Sequence, residues 1–152
     1  MKRAVKKILP FDSVYKEELR NIFLLNTPDY FAVKELDDFE KYLHKNSHNY
    51  FVLQTQYGII GGCGYKVSMA ARKSNISWIF VHPSFKGQGY GHLLVNYCIN
   101  LLKRSKDLFI IEVNTSQHAF KFFEIFGFTI VKIERDFWAE SLDLYQMRMM
   151  VN

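Results

Sequence analysis

Residues Val81–Leu94 read VHPSFKGQGYGHLL, and how this stretch is understood decides the fold. Gly87, Gly89 and Gly91 alternate with Gln88 and Tyr90, Lys86 precedes them, and an apolar run follows. Upstream, Asn75–Val81 reads as a strand. Downstream, Gly89–Ser105 reads as a helix with Leu94, Cys98 and Leu101 in register. The glycines therefore mark a strand-to-helix turn. A helix N-terminus presents unpaired N–H groups and the positive end of the helix dipole. Glycines let an anion approach that backbone closely, and Lys86 adds a cation. Two readings stand at this point: a phosphate-binding turn, or a tight connection with no ligand.

Working outward, the chain alternates strands and helices. Ala4–Leu9 reads as a short strand stopped by Pro10. Ser13–Asn26 reads as a helix capped by Asp12 or Ser13, with Pro28 just beyond it. Val33–His44 is a second helix with Leu36, Phe39 and Leu43 on one face. Tyr50–Thr55 and Ile59–Ser68 form a hairpin turning near Gln56–Gly58. Leu108–Val113 is apolar but for one residue, as a buried central strand is. Gln117–Phe126 is a helix that Gly127 ends as a left-handed residue, so that Phe128 folds back onto Phe123. Thr129–Arg135 and Leu142–Val151 are closing strands. The order β-α-α-β-β-β-α-β-α-β-β predicts an α/β domain with a mixed sheet.

Composition bounds the function. A chain of 152 residues is one domain's worth, expected to span residues 1–152, and buries a core without disulfides or metal. Apolar residues at 49% and charged residues at 23% exclude a disordered chain. The net charge of +5 suits an anionic ligand, but the basic residues are dispersed apart from Lys2, Arg3, Lys6 and Lys7. Nucleic-acid binding is thus a weak reading. Cys63 and Cys98 form no CxxC pair and sit in apolar stretches, as buried free thiols in a reducing cytoplasm do. No apolar run reaches about 18 residues, so neither export nor membrane association is expected. No metal site is expected. Whether the chain forms a homodimer is left open.

Two familiar phosphate loops fit the glycine turn poorly. A Walker loop needs Lys and then Ser or Thr after its last glycine, whereas His92 follows Gly91. A dinucleotide fingerprint is GxGxxG in the first βαβ unit, with an acidic residue about 20 positions on. Here the spacing is GxGxG, mid-chain, and the corresponding position is near Phe109.

The stretch Lys86-Gly87-Gln88-Gly89-Tyr90-Gly91 instead resembles the acyl-coenzyme A loop of the GCN5-related N-acetyltransferases (GNAT), with Lys where that pattern has Arg or Gln. Val81-His82-Pro83 is similar to the family's strand-to-loop junction. IIEVNTSQHAFKFFEIFGF (110–128) resembles the second half of its cofactor site, and RDFWAESLDLYQM (135–147) is similar to the last hairpin of a bacterial subgroup with no assigned substrate. The resemblance covers nearly the whole chain. It implies a mostly antiparallel sheet with splayed central strands. It further implies that backbone around Phe80 and Val81 holds the pantetheine arm of acetyl-CoA, that amides of Gly87–His92 hold the pyrophosphate, and that an amine acceptor attacks the acetyl carbonyl directly.

That chemistry needs a base. Lysine-type amines have a pKa near about 10.4 and α-amines near about 7.8, so most are protonated at neutral pH. A carboxylate is the natural acceptor of the proton. Glu112 is the only charged residue in LFIIEVN (108–114), and a lone carboxylate on a buried strand needs a reason. The resembling N-terminal protein acetyltransferases carry a base at this position. The alternative is a Glu facing an open side, or paired with a nearby Lys or Arg. His82 and His118 are rivals, expected at a loop start and on a helix surface.

The chain departs from the family at two points. Phe123 occupies the place of a Tyr that protonates the leaving thiolate, and Ser116 that of an Asn, with helix capping as its simplest role. The proton donor is then water, Tyr145 or nothing. In the family the first two helices and the last hairpin line the acceptor cleft, which here implicates Tyr30, Phe31, Phe137 and Trp138. The expected function is acetyl transfer from acetyl-CoA to a primary amine. A non-catalytic acyl-CoA sensor and a basic RNA- or protein-binding module are the alternatives.

Overall fold

The computed structural model describes residues 6–151. The start of the strand expected at 4–9, with Lys2 and Arg3, lies outside the described residues. Strand β1 (Lys6–Pro10) runs along one edge of the sheet and pairs only with β2 (Tyr50–Thr55). Between them Asp12 Oδ1 accepts the Val14 N–H at 3.0 Å and opens a short turn into α1 (Lys16–Leu25). Helix α2 (Glu35–Asn46) follows. Strand β2 turns into β3 (Gly58–Ser68), then come β4 (Lys73–Val81), α3 (Tyr90–Lys103) and β5 (Ile110–Thr115). Helix α4 (Phe120–Glu124) and the hairpin β6 (Thr129–Ala139) and β7 (Leu142–Met150) close the chain. The element order is the one the sequence predicts.

The seven strands lie in the order β1-β2-β3-β4-β5-β7-β6. All neighbours are antiparallel except β4 and β5, which are parallel. One face is covered by α3 and α4. There Leu94, Val95, Cys98, Ile99 and Leu102 of α3 pack with Ile111, Val113 and Met147 of the sheet. Each such aliphatic side chain contributes about 1.5–3 kcal/mol by leaving water. On the other face Leu19, Ile22 and Phe23 of α1 and Phe39, Tyr42 and Leu43 of α2 pack on Tyr50, Val52, Ile59 and Phe80. Cys63 and Cys98 are buried free thiols, as the sequence predicts. Among the described residues no helix is long and apolar enough to cross a membrane.

The ends of several elements shift by two or three residues, and two elements differ from expectation by more. Helix α4 is five residues rather than ten, because the chain before it is held elsewhere. Gln117 donates to the Ser141 carbonyl at 2.7 Å and accepts the Asp143 N–H at 2.9 Å, tying this segment to the β6–β7 hairpin. Strand β6 continues past Arg135 to Ala139 across an irregularity at Asp136, whose φ is +55°. The Asp136 carboxylate accepts the Ser141 N–H at 2.7 Å, and the resumed strand carries Trp138 back toward the middle of the sheet.

The parallel contact between β4 and β5 is short. It runs from Lys73↔Ile110 to Ile76↔Val113 and stops, although both strands continue. The cause lies on the other side of β4. Gly62 pairs with Phe80 and Gly64 with Ser77, so β4 spends one extra residue there, and Trp78 takes a left-handed conformation with φ +56°. Such a backbone costs a non-glycine residue about 1–3 kcal/mol and persists only where its surroundings hold it. Tyr50 does so: its buried hydroxyl donates to the Trp78 carbonyl at 2.8 Å. Gly62 and Gly64 make room for that ring, since a Cβ at either would come within 2.6 Å of Tyr50 atoms. The bulge turns β4 away from β5 and leaves a cleft.

Candidate active site

The cleft is a cavity of about 680 Å³. Its floor is β4 from Asn75 to Val81 and β5 from Val113 to Thr115. Beyond Ile76 β4 has no strand partner on its β5 side, and with the Trp78 and Val81 carbonyls taken by Tyr50 and Asn26, the stretch between them is left for a ligand. At the end of β4 the buried Asn26 side chain donates to the carbonyls of Val81 at 3.1 Å and Ile22 at 2.9 Å, fixing α1 to the strand.

One end of the cavity is the glycine turn. Lys86, Gly87, Gly89, Tyr90, Gly91 and His92 line it, while Gln88 is outside the lining. Gly89 precedes α3 with φ +85° and no side chain caps the helix. The backbone demands glycine there, yet a Cβ on Gly87 or Gly89 would meet nothing within 4 Å. The space in front of the helix N-terminus is thus open, and its first-turn N–H groups face it unclaimed by a cap. This is a cradle for an anion. Gly91 serves a different need: a Cβ would stand 3.4 Å from the Phe122 ring. His92 lies against Phe126 with ring centroids 4.7 Å apart. The Lys86 ammonium sits 3.6 Å from the centre of the Tyr30 ring, and burial lowers its pKa, with Asp29 opposing.

Phe80, Val81, Ser116 and Phe123 also line the cavity. Ser116 Oγ accepts the His118 N–H at 3.3 Å and so closes a turn ahead of α4 rather than capping it, since the N-cap of α4 is Ala119 with no side-chain cap. Phe123 is buried against Phe122 and Phe128, and the Phe128 N–H bonds back to the Phe123 carbonyl at 3.4 Å beyond Gly127 (φ +100°). Tyr145 stacks on Phe120 and does not reach the cavity lining. Neither Phe123 nor Tyr145 therefore presents a hydroxyl to the cavity lining.

The opposite end is aromatic. Phe31, Trp78 and Trp138 line it, while Tyr30 lines the cavity at the glycine turn, against the Lys86 ammonium. Phe31 lies 4.8 Å from Phe23, and Trp138 Nε1 donates to the Thr115 carbonyl at 3.1 Å. Phe137 packs edge-on against Trp138, half exposed and outside the lining. His118 reaches the cavity rim beside Tyr30, whereas His82 is a cap that accepts the Ser84 N–H at 3.0 Å.

Glu112 is not in the lining. Its buried carboxylate is held by Arg148 Nε at 2.7 Å and Lys73 Nζ at 3.5 Å, with Gln146 donating at 3.3 Å. The paired alternative is the arrangement found, and the reason is register: Arg148 lies directly across from Glu112 on β7. The carboxylate that does line the cavity is Glu35, the first residue of α2. It is buried, and Oε2 accepts the Ala32 N–H at 2.7 Å. Oε1 makes no hydrogen bond among the described residues. Burial raises its pKa above the ordinary 4.5, with the Ala32 N–H opposing. In the sequence Glu35 carries only the signature of a first-turn acid, which favours any helix N-terminus.

These features define a class, a splayed sheet with an open anion cradle at a helix N-terminus, and comparison with known proteins names the family. Residues 14–151 match the acetyltransferase (GNAT) domain family. The chain belongs to the GNAT acetyltransferases, and its activity is acetyl-CoA-dependent transfer of an acetyl group to an amine. Among solved structures, it is similar to Ard1 from Thermoplasma volcanium, at 17% identity over 97% of this chain and 98% of that one, with a TM-score of 0.81. The ribosomal-protein-S18-alanine N-acetyltransferase from Escherichia coli superposes with a TM-score of 0.80, at 15% identity over 97% and 95%. The spermidine N-acetyltransferase from Vibrio cholerae, in complex with CoA and spermine, gives 0.71, at 16% identity over 95% of each chain. No curated protein matches the sequence significantly.

Proposed function

We propose that this chain binds acetyl-CoA along the splayed β4–β5 cleft and acetylates a primary amine that enters from the aromatic end. The carrying observation is the cavity itself: an open anion cradle at one end and a buried carboxylate at the other. Gly87, Gly89 and the first turn of α3 fit a pyrophosphate, and Lys86 supplies a cation beside them. The unpaired β4 backbone near Phe80 suits the amide groups of a pantetheine arm, and Phe123 packs against it. Acetyl-CoA supplies the thioester carbonyl that the amine attacks.

Glu35 is the base in this reading. Its Oε1 is free to accept a proton, and burial raises its proton affinity above that of an ordinary glutamate. Glu112, set between Arg148 and Lys73, instead locks β5 to β7 and β4. The decisive experiment compares two variants. Glu35→Gln lowers kcat about 10²-fold with the Kd for acetyl-CoA unchanged. Glu112→Gln mainly lowers thermal stability, because two cations lose their shared anion. Full kcat in Glu35→Gln would remove it from the role, and a kcat loss in a stable Glu112→Gln would return the role to Glu112. Cofactor binding with no CoA release on any amine would favour the sensor.

A further inference from the structure

The cavity as a whole is unevenly charged. Among the described residues its lining holds one carboxylate, Glu35, against two ammonium groups, Lys66 and Lys86. Lys86 belongs to the glycine turn. Lys66 lies on β3 at the other end, across from Asn75. Its ammonium rests 5.7 Å from the centre of the Tyr42 ring, and no carboxylate lies within 4.0 Å of it among the described residues. The register places Lys66, Asn75, Glu112 and Arg148 in one row on one face of the sheet, with Lys73 two residues from Asn75 on the same face. Glu112 serves both Lys73 and Arg148. The floor next to the acceptor end thus carries three cations and one anion, and the cation that faces the cavity, Lys66, is exposed, with the Tyr42 ring beside it and no carboxylate among the described residues.

We infer that the acceptor is a molecule with a single amine and a carboxylate, whose carboxylate Lys66 binds while its apolar body lies against Phe31, Trp78 and Trp138, and that polyamines are excluded. This rests on the acetyltransferase reading above. A polyamine needs several acids along its length, and this lining offers one, already assigned to the reacting amine. Each further ammonium group would face Lys66 as a like charge, which disfavours it relative to an acceptor with a single amine. A carboxylate meets the opposite situation, since Lys66 gains a charge-assisted hydrogen bond that the protein itself does not provide. The same chemistry arises from a free amino acid or from a peptide N-terminus with an acidic second residue.

The test is calorimetric and does not depend on turnover. CoA-loaded protein is titrated with L-phenylalanine and L-phenylalaninamide, with the peptide amides Phe-Glu and Phe-Gln, and with spermidine. In at least one pair the acidic member binds about tenfold tighter than its neutral partner, and spermidine binds weakest. The pair that shows the difference identifies the source, free amino acid or peptide. Lys66→Met abolishes the difference, and Lys66→Glu reverses it toward spermidine, both with the Kd for CoA unchanged. The inference is overturned if neither pair discriminates, if spermidine binds tightest to the natural protein, or if Lys66→Met keeps the preference. Failure of CoA itself to bind, read in the loading titration, would overturn the acetyltransferase reading and this inference with it.

Discussion

At the scale of the residue, two positions carry the most testable physics. Glu35 has a carboxyl pKa raised from 4.5 by burial. Between that value and the raised one, the native state holds more protons than the unfolded chain, so stability falls as pH rises through the window. Above the window the cost of a buried charge is fully present. Glu35→Gln removes the titration, so urea melts should show the variant gaining on the natural protein as pH climbs upward from 4.5 through that window. Gly89 is the second position. Its φ of +85° makes any side chain strained, at about 1–2 kcal/mol, while the space around it is empty. Gly89→Ala should therefore fold with a modest loss of stability and lose acetyl-CoA affinity by more than tenfold in calorimetry, because the methyl stands where the anion goes. Retained affinity would take the turn out of the site.

At the scale of the element, the bulge in β4 makes the cleft, and Tyr50 on β2 holds the bulge. Its hydroxyl bond to the Trp78 carbonyl is buried, and losing a buried partner costs about 1–3 kcal/mol. Tyr50→Phe keeps the ring that Gly62 and Gly64 accommodate and removes only that bond. Chemical denaturation should show the loss, and affinity for acetyl-CoA should fall with it, because the splay of β4 from β5 is less firmly set. A variant as stable as the natural protein with unchanged affinity would mean that Gly62 and Gly64 alone impose the bulge. The short α4 and the extended β6 belong to the same scale. Gln117 and Asp136 form side-chain bonds with partners 24 and 5 residues away, and these bonds, not local periodicity, set the ends of the two elements.

At the scale of the whole molecule, ligand binding and stability are linked. A ligand at 100 times its Kd stabilises the native state by about 2.7 kcal/mol. For a chain of this size that corresponds to a rise in Tm of roughly 5–10 °C. Acetyl-CoA should produce such a shift, and Gly89→Ala should abolish it at the same concentration. The absence of a shift in the natural protein would favour a module in which the glycines are only a turn.

The sequence by itself determined the order of elements, the turn at Gly87–Gly91, the capping role of Asp12, and the return of Phe128 onto Phe123. These depend on periodicity, capping and backbone freedom within a few residues, which a linear reading contains. Tertiary structure alone decided which carboxylate meets the cavity. Glu112 looked exceptional because it is the lone charge on an apolar strand, yet its partners Arg148 and Lys73 arrive from β7 and β4. Glu35 looked ordinary because acids favour helix starts everywhere, and only the packing of α2 over the sheet buried it beside the cleft. The bulge at Trp78 was equally hidden, since its cause is a hydroxyl 28 residues away in sequence. Burial and charge pairing between strands are set by register and packing, and those are properties of the folded chain.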